Sequence, residues 1–281
     1  MFRKFFEGWY FKHQNKNDTI SIIPGVCYDK TFIQIVTDEG PYNIDFDKRD
    51  FSKGKTIKIG SNIFSFDEIN IDINKPNLKI KGKINYSNLT PIKYDIMGPF
   101  KFFPMQCRHG IISMHHDLSG YLNINGRYFD FTNGVGYIEK DSGCSFPKCY
   151  AWVHSNDFDE ECSITAAVAD IPFLGFHFEG LIFVVHYKDK EYRIATYNGG
   201  KVLECNKNKI VVGNKNFRLE IYIQNHKSHA LYSPVKGQMS GIIKESPSCK
   251  ARFKFFENNN LIFDLESPKT SCEFVRYPIL S

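Results

Sequence analysis

The sequence predicts an all-β protein, and three features of the chain support this prediction. Apolar and polar residues alternate with a period of two along several stretches, which is typical of strands with one buried face. Asn-Gly pairs lie between such stretches, where tight hairpin turns require positive φ angles. No window of helix length carries apolar residues at helical spacing, so hairpins and loops are expected to connect the strands.

The alternation is clearest in two neighbouring segments, 69–74 and 78–86. Isoleucines alternate with Asn and Asp in the first, and Leu, Ile and Tyr alternate mainly with lysines in the second. The same period returns at 217–223. Asn-Gly or Gly-Asn pairs lie at 125–126, 133–134, 198–199 and 213–214. These patterns predict antiparallel strands joined by tight turns.

The length of the chain determines how many sheets these strands can build. With 281 residues, the chain carries more short strands than one eight-stranded barrel needs. We therefore expect two lipocalin-like antiparallel β-barrels or half-barrels packed together. The N-terminal unit is placed at residues 1–128 and the C-terminal unit at 129–281. The irregular segment 97–108, which contains two prolines, is expected to be a loop at a domain junction or a cavity mouth.

Composition narrows the classes of partner. The formal net charge of +5 is spread along the chain, so no nucleic-acid partner is expected. A mildly basic surface is compatible with weak peripheral contact with anionic lipid headgroups, although a solvated lysine-rich sheet needs no partner. Aromatic residues make up 15% of the chain and could line a cavity for an apolar small-molecule ligand. The sequence gives no indication of an oligomeric state.

Cysteine usage and the N-terminal residues favour a cytoplasmic protein. The eight cysteines form no CxxC pair and no regular framework, which is typical of reduced, mostly buried thiols. Glu7 and Lys12 interrupt the aromatic residues near the start, so no signal peptide is expected. The longest apolar runs are a handful of residues, so no transmembrane helix is expected.

The segment 136–156 is the richest in chemically reactive and aromatic groups. If two strands flank the Phe146-Pro147 turn, three side chains share one face of each strand. These are Tyr137, Glu139 and Asp141 on the first strand and Tyr150, Trp152 and His154 on the second. Hairpin pairing would bring the two triplets together. The alternative is a polar outer face on which the two acids form ion pairs with Lys140 and Lys148.

These residues also carry a resemblance to a known family. The run Glu-Lys-Asp-x-Gly-x-x-Phe-Pro-Lys at 139–148, followed by Trp152, resembles the central motif of the tocopherol-cyclase-like family. Further blocks that resemble the family lie at 6–14, 104–120, 169–176, 191–201 and 237–246. Their order over nearly the whole chain argues against chance. The resemblance implies a two-part β-barrel fold related to the lipocalins, in agreement with the strand pattern.

The resemblance implies a reaction as well as a fold. Plant and cyanobacterial enzymes of this family close a chromanol ring by adding a quinol hydroxyl across a prenyl double bond. The implied function is therefore acid-catalysed cyclisation or hydration of an isoprenoid double bond in an apolar cavity, an intramolecular lyase or isomerase reaction without a cofactor. A carboxylic acid kept neutral by an apolar pocket can protonate an alkene, and aromatic faces stabilise the resulting carbocation.

Site residues follow from the same resemblance. Glu139 is the first candidate for the acid, followed by Asp141 and then by Asp170 in the block at 169–176. The candidates for the substrate site are Trp9, Tyr137, Phe146, Tyr150, Trp152 and His154. Trp9 could instead fill one end of a barrel.

Two positions depart from the family pattern. Ser142 stands where the family usually places Trp, and His154 stands where it usually places Gln. Loss of an indole beside the acid would remove part of an apolar wall. A non-catalytic lipocalin-like carrier of a hydrophobic small molecule therefore stays open as a second function.

The other reactive residues are expected to have structural and not catalytic roles. No metal site is predicted, because His115 and His116 would point to opposite faces of a strand and no acid has a recognised ligand spacing to the histidines. Cys144 is expected to be an incidental thiol rather than a nucleophile. Lys244 and Glu245 are expected to pair at the surface.

Overall fold

The computed structural model describes residues 5–224 and 227–276. Within these ranges the chain forms two large antiparallel sheets, so the all-β prediction is confirmed. In the same ranges, three short 3-10 helices span Lys48–Asp50, Gly98–Phe102 and Thr196–Asn198. No helix in the described part of the chain has the length and apolar character to cross a membrane.

The first sheet contains twelve strands, β1 to β12. Their bounds are β1 Phe6–Gln14, β2 Thr19–Val26, β3 Thr31–Thr37, β4 Pro41–Phe46, β5 Phe51–Lys53, β6 Ile57–Ile59, β7 Asn62–Phe64, β8 Glu68–Lys75, β9 Leu78–Ser87, β10 Cys107–Ile124, β11 Arg127–Asp130 and β12 Gly134–Gly143. The spatial order is β4-β3-β2-β1-β12-β10-β9-β8-β7-β6-β5, with β11 paired to β10. Because β12 returns to lie between β1 and β10, it occupies the centre of the sheet.

The second sheet contains ten strands, β13 to β22. Their bounds are β13 Tyr150–Ser155, β14 Cys162–Phe173, β15 Phe176–Tyr187, β16 Lys190–Ala195, β17 Lys201–Cys205, β18 Lys209–Gly213, β19 Phe217–Ile223, β20 His229–Val235, β21 Gln238–Glu257 and β22 Asn260–Val275. The spatial order is β16-β15-β14-β13-β22-β21-β19-β18-β17, with β20 paired to β21. Both sheets are open, so half-barrels form and closed barrels do not.

Local patterns explain the strands around the centre of the first sheet. Along β8 and β9 the isoleucines are buried and the Asn, Asp and Lys residues that alternate with them are exposed, as the period of two predicts. Asn125 and Asn133 adopt φ angles of 51° and 59° in the turns predicted from their Asn-Gly pairs. Glycine is required at position 82, where β9 pairs with β10, because a Cβ there would lie 2.1 Å from the backbone oxygen of Tyr121.

Each half-barrel encloses a core of its own, and a third apolar cluster joins the two sheets. The joining cluster includes Tyr10, Met114, Tyr137, Trp152, Val184 and Leu231. These side chains come from both sheets, so the sheets pack face to face across this cluster. The change of sheet lies between Gly143 and Tyr150. The domain boundary expected between residues 128 and 129 stays a prediction.

Candidate active site

The two predicted triplets meet across the sheets and not within a hairpin. Strand β12 pairs with β1 and β10, whereas β13 pairs with β14 and β22. The rings of Tyr137 and His154 stack with centroids 3.7 Å apart and planes inclined by 22°. The hairpin expectation is wrong because residues 144–149 carry the chain from the first sheet to the second. Side-chain alternation nevertheless identified the correct faces of both strands.

Glu139 lies at the centre of this interface and is only 5% exposed. Its Oε2 accepts a hydrogen bond of 2.6 Å from the Tyr137 hydroxyl and one of 3.2 Å from Nε1 of Trp152. Lys140 points to the opposite face of β12, where it pairs with Glu7. The alternative of an exposed ion-paired face is therefore wrong for Glu139.

His109 joins the two acids of β12, and sequence analysis did not select it. On β10 it lies directly opposite Asp141 in the strand register. Its Nδ1 is 3.0 Å from Oδ1 of Asp141, and its Nε2 is 3.6 Å from Oε2 of Glu139. His109 lies in the block at 104–120, but only the register of β10 against β12 reveals its partners.

Burial and charge shift the pKa values of this cluster in a coherent way. Burial raises the pKa of Glu139 to about 7 against the opposing effect of the His109 cation, and the charge of Asp141 adds to the rise. Burial disfavours the cationic form of His109, but the carboxylates of Glu139 and Asp141 outweigh it and raise the His109 pKa to about 9. Near neutral pH, a population of neutral Glu139 therefore lies beside a histidine cation.

A cavity of about 200 Å³ lies between the sheets and borders this cluster. Its wall is mainly aromatic and aliphatic, and it includes Phe146, Tyr150 and Trp152 from the predicted substrate site. The His, Asp and Glu side chains that line it are His109, Glu139, Asp141 and Glu273. Among the described residues, no lysine or arginine lines it. The cavity therefore fits a largely apolar ligand without negative charge.

A second group of acids lies on the facing sheet. Glu273 of β22 is opposite Trp152 in the register, and the Tyr150 hydroxyl donates to its Oε2 at 2.5 Å. Glu245 is opposite Glu273 on β21 and accepts a hydrogen bond of 2.6 Å from the Tyr10 hydroxyl. Burial raises the pKa of Glu245 to about 7 and the pKa of Glu273 well above its ordinary value. The expected surface pair of Glu245 with its neighbour Lys244 is wrong, because Glu245 is fully buried.

The other predicted residues lie at varied distances from the cavity. Tyr137 and His154 are buried behind the wall and are not part of it. Trp9 borders the cavity, but its ring belongs to the core of the first sheet, where it stacks on Phe51. Asp170 is outside the lining, and its Oδ2 is 2.9 Å from Nδ1 of His177. Asp170 is thus separated from the other candidate acids.

His109, Glu139 and Asp141 also form a group that could hold a metal ion. One ligand atom from each lies within 4.8 Å of the other two. An imidazole with two carboxylates is a donor set that suits several divalent metals. Their spacing along the chain gave no metal signal because the ligands come from two different strands. The absence of a metal stays a prediction.

The chain is similar in sequence to a known protein family. A family model described as tocopherol cyclase-like matches residues 67–274. The chain belongs to the tocopherol cyclase-like family. The family resemblance is therefore confirmed, and the matched range contains His109, Glu139, Asp141 and Glu273. The block at 6–14 lies outside this range, so its resemblance stays a prediction.

Individual relatives of this tocopherol cyclase-like chain are distant. The protein named "Probable tocopherol cyclase, chloroplastic" from Oryza sativa subsp. japonica is 30% identical over 120 residues, which are 41% of this chain and 26% of that protein. The chain thus matches about a quarter of the length of that relative. Kievitone hydratase from Nectria haematococca has a similar fold, with a TM-score of 0.59, 10% identity, and coverage of 96% of this chain and 88% of that one.

A second solved structure gives the same result. A protein assigned as an AttH from Nitrosomonas europaea matches with a TM-score of 0.53 and 10% identity over 96% of this chain and 92% of that one. At such low identity both structures bear on the fold alone. They confirm the lipocalin-like half-barrel architecture.

The two departures from the tocopherol cyclase-like pattern both lie away from the cavity wall. Ser142 is opposite Glu7 in the register, so its side chain is on the face of β12 that Lys140 shares. Ser142 is not part of the lining, and neither is His154. The expectation that Ser142 removes cavity wall beside Glu139 is therefore wrong, since alternation points the two side chains to opposite faces.

Proposed function

We propose that the protein adds a hydroxyl group across an isoprenoid double bond by acid catalysis, as a cyclase or a hydratase. The observation that carries this proposal is Glu139, a buried acid with a pKa of about 7 that lines an apolar cavity. Membership of the tocopherol cyclase-like family supports the same reaction class. The hydratase activity named for one structural neighbour is compatible with it.

In the first step Glu139 donates its proton to the less substituted alkene carbon. Both hydrogen bonds from Tyr137 and Trp152 end on Oε2, so Oε2 acts as the carbonyl oxygen and Oε1 carries the proton. A C–H bond forms, the π bond breaks, and a tertiary carbocation remains. As Glu139 becomes a carboxylate, the two donors and the His109 cation stabilise the new negative charge.

The carbocation forms in a cavity whose wall is aromatic. The rings of Tyr10 and Trp152 border the cavity and meet edge to face at 5.4 Å. Ring faces attract a cation electrostatically, and exclusion of water prevents its premature capture. These rings therefore supply the stabilisation that the aliphatic part of the wall lacks.

In the second step a hydroxyl oxygen of the substrate, or of water, bonds to the cationic carbon. Its proton passes to Asp141, which His109 orients through the 3.0 Å contact at Nδ1. Asp141 then releases this proton to solvent, and Oε1 of Glu139 takes up a proton from solvent. His109 keeps both of its protons throughout, with Nδ1 toward Asp141 and Nε2 toward Glu139. The O–H bond is broken, the C–O bond is formed, and the acid is restored without a net change in the enzyme.

The proposal is tested by incubation of the protein with prenylated quinols. We expect a product of unchanged mass in which the ring has closed, detected by chromatography and mass spectrometry. Simple hydration would instead increase the mass by one water. Recovery of unchanged quinols together with unchanged prenylated phenols, from protein that is folded by circular dichroism, would contradict the proposal.

The pH dependence of turnover has a definite sign. Glu139 acts in its protonated form, and its pKa is about 7. The rate is therefore expected to be constant below pH 7 and to fall about tenfold per pH unit above it, measured as kcat at saturating substrate. A rate that rises through the same range would show that the carboxylate form of Glu139 is the active one.

A further inference from the structure

Two neighbouring segments project exposed apolar side chains at one side of the cavity. One is the stretch around the 3-10 helix Gly98–Phe102, and the other is the hairpin between β14 and β15. Phe102 is 79% exposed and Leu174 is 75% exposed, and both are large apolar side chains. Phe176 of the same hairpin is 54% exposed. Such a concentration marks a surface that meets an apolar partner.

Leu174 is unusual for its backbone conformation as well as its exposure. It has a φ of 49° at the tip of the hairpin, where Asn and Gly are preferred. The other non-glycine residues with positive φ in the described ranges are all Asn, Lys or Arg. An exposed leucine at this position gains nothing from the fold, so its apolar side chain indicates contact with something outside the chain.

The two segments form one surface that continues into the cavity. The ring of Phe173 is 5.5 Å from that of Phe103 and 6.3 Å from that of Phe100, so the segments touch through aromatic contacts. Phe100 and Phe178 also line the cavity. The expectation that 97–108 forms a cavity mouth therefore agrees with this arrangement. We call the exposed residues Phe102, Phe103, Leu174 and Phe176 the mouth patch.

Three cations lie around the mouth patch. Lys101 directly precedes Phe102 and Phe103 in the sequence, and the Arg108 side chain donates a hydrogen bond to the backbone oxygen of Phe103. Lys148 is exposed. It lies beside the hairpin, because the backbone oxygen of the adjacent Cys149 accepts a hydrogen bond from the backbone nitrogen of Asp170. Among the acids, the carboxylate of Asp170 is paired with His177, and Glu179 is exposed on the hairpin. Asp95 is exposed before the 3-10 helix, where its Oδ1 accepts a hydrogen bond from the backbone nitrogen of Met97. Three cations around an apolar centre complement an anionic lipid surface.

We propose that the mouth patch inserts into the interface of a lipid bilayer that contains anionic lipids. The apolar side chains enter the region between headgroups and acyl chains, and the three cations contact the headgroups. An apolar molecule dissolved in the bilayer then reaches the cavity past Phe100 and Phe178 without crossing water. This inference goes beyond the proposed function, because it concerns delivery of the ligand and not the reaction.

The test is flotation of the full chain with vesicles of phosphatidylcholine containing about 20% phosphatidylserine. We expect Leu174→Asn to lower the partition coefficient about tenfold and Leu174→Asn with Phe102→Ser and Phe176→Ser to lower it about a hundredfold or more. Leu261→Asn is the matched control, since Leu261 is exposed on β22 and lies roughly 40 Å along the strand from Glu273. Equal binding by Leu174→Asn and Leu261→Asn would overturn the proposal.

Further outcomes separate this surface from its alternatives and from the reaction. A concentration-dependent dimer that Leu174→Asn abolishes, in sedimentation without vesicles, would assign the patch to a second copy and overturn the lipid assignment. Turnover of detergent-dispersed substrate should be unchanged in Leu174→Asn. Glu139→Gln should still float with vesicles, so loss of the reaction and loss of membrane binding are observed independently.

Discussion

Replacement of Glu139 by glutamine is expected to lower kcat by about a thousandfold or more. Glutamine keeps the size of the side chain and an oxygen that accepts from Tyr137 and Trp152. It cannot donate a proton of comparable acidity to an alkene. Because the geometry is retained, the loss should appear in kcat, and ligand affinity should stay within about threefold.

Asp170→Asn is the matched control for this substitution. Asp170 was the third candidate acid, but its side chain contacts His177 and does not line the cavity. Turnover by Asp170→Asn should stay within about threefold of the parent. Wild-type turnover in Glu139→Gln, or loss of turnover in Asp170→Asn with the fold intact, would transfer the acid role away from Glu139.

Replacement of Gly8 by leucine is expected to lower turnover strongly while the protein becomes no less stable. Gly8 lies opposite Asp141 on β1 and lines the cavity. A Cβ at this position meets only the backbone oxygen of Pro24, at 3.9 Å. The leucine side chain therefore enters the space above Asp141, and we expect kcat/KM to fall about a hundredfold or more.

The stability of this variant follows from the backbone. Glycine within a strand costs roughly 0.5–1 kcal/mol relative to alanine, so leucine at a site without a clash should keep or raise the melting temperature. Gly110→Leu is the control, because its Cβ would meet only the backbone oxygen of Lys140 at 3.8 Å, on the other face of the sheet. If Gly8→Leu turned over substrate normally, the reaction would not take place in this cavity.

The fold and one side of the site could be predicted from the sequence for a physical reason. Strand alternation places Tyr137, Glu139 and Asp141 on one face whatever the partner strands are. The same rule gives Trp152 and its neighbours on β13. It is a local property of the backbone, so it survives even though the expected hairpin does not form.

The rest of the site depends on contacts between strands that are distant in sequence. His109 is placed against Asp141 by the register of β10 on β12, and Glu273 is placed beside Trp152 by the register of β22 on β13. Nothing in the spacing of these residues encodes those registers. The orientation of Ser142 was missed for a simpler reason, since the expectation considered its neighbour Glu139 and not the alternation between them.

The burial of charged groups also explains why Glu245 was assigned to the surface. A Lys-Glu pair next to each other in sequence normally indicates an exposed ion pair. On β21, however, alternation exposes Lys244 and turns Glu245 toward Tyr10 at the contact between the sheets. The acids of the second sheet were therefore hidden by a local pattern that is usually reliable.

Turnover in D2O tests most directly whether Glu139 protonates a double bond. Glu139 exchanges its proton with solvent, so the account predicts one deuterium bonded to the former alkene carbon in the product, observed by mass spectrometry and NMR. Under the same conditions Glu139→Gln should yield almost no deuterated product. Product without a carbon-bound deuterium, or deuterated product formed equally fast by Glu139→Gln, would contradict the assignment.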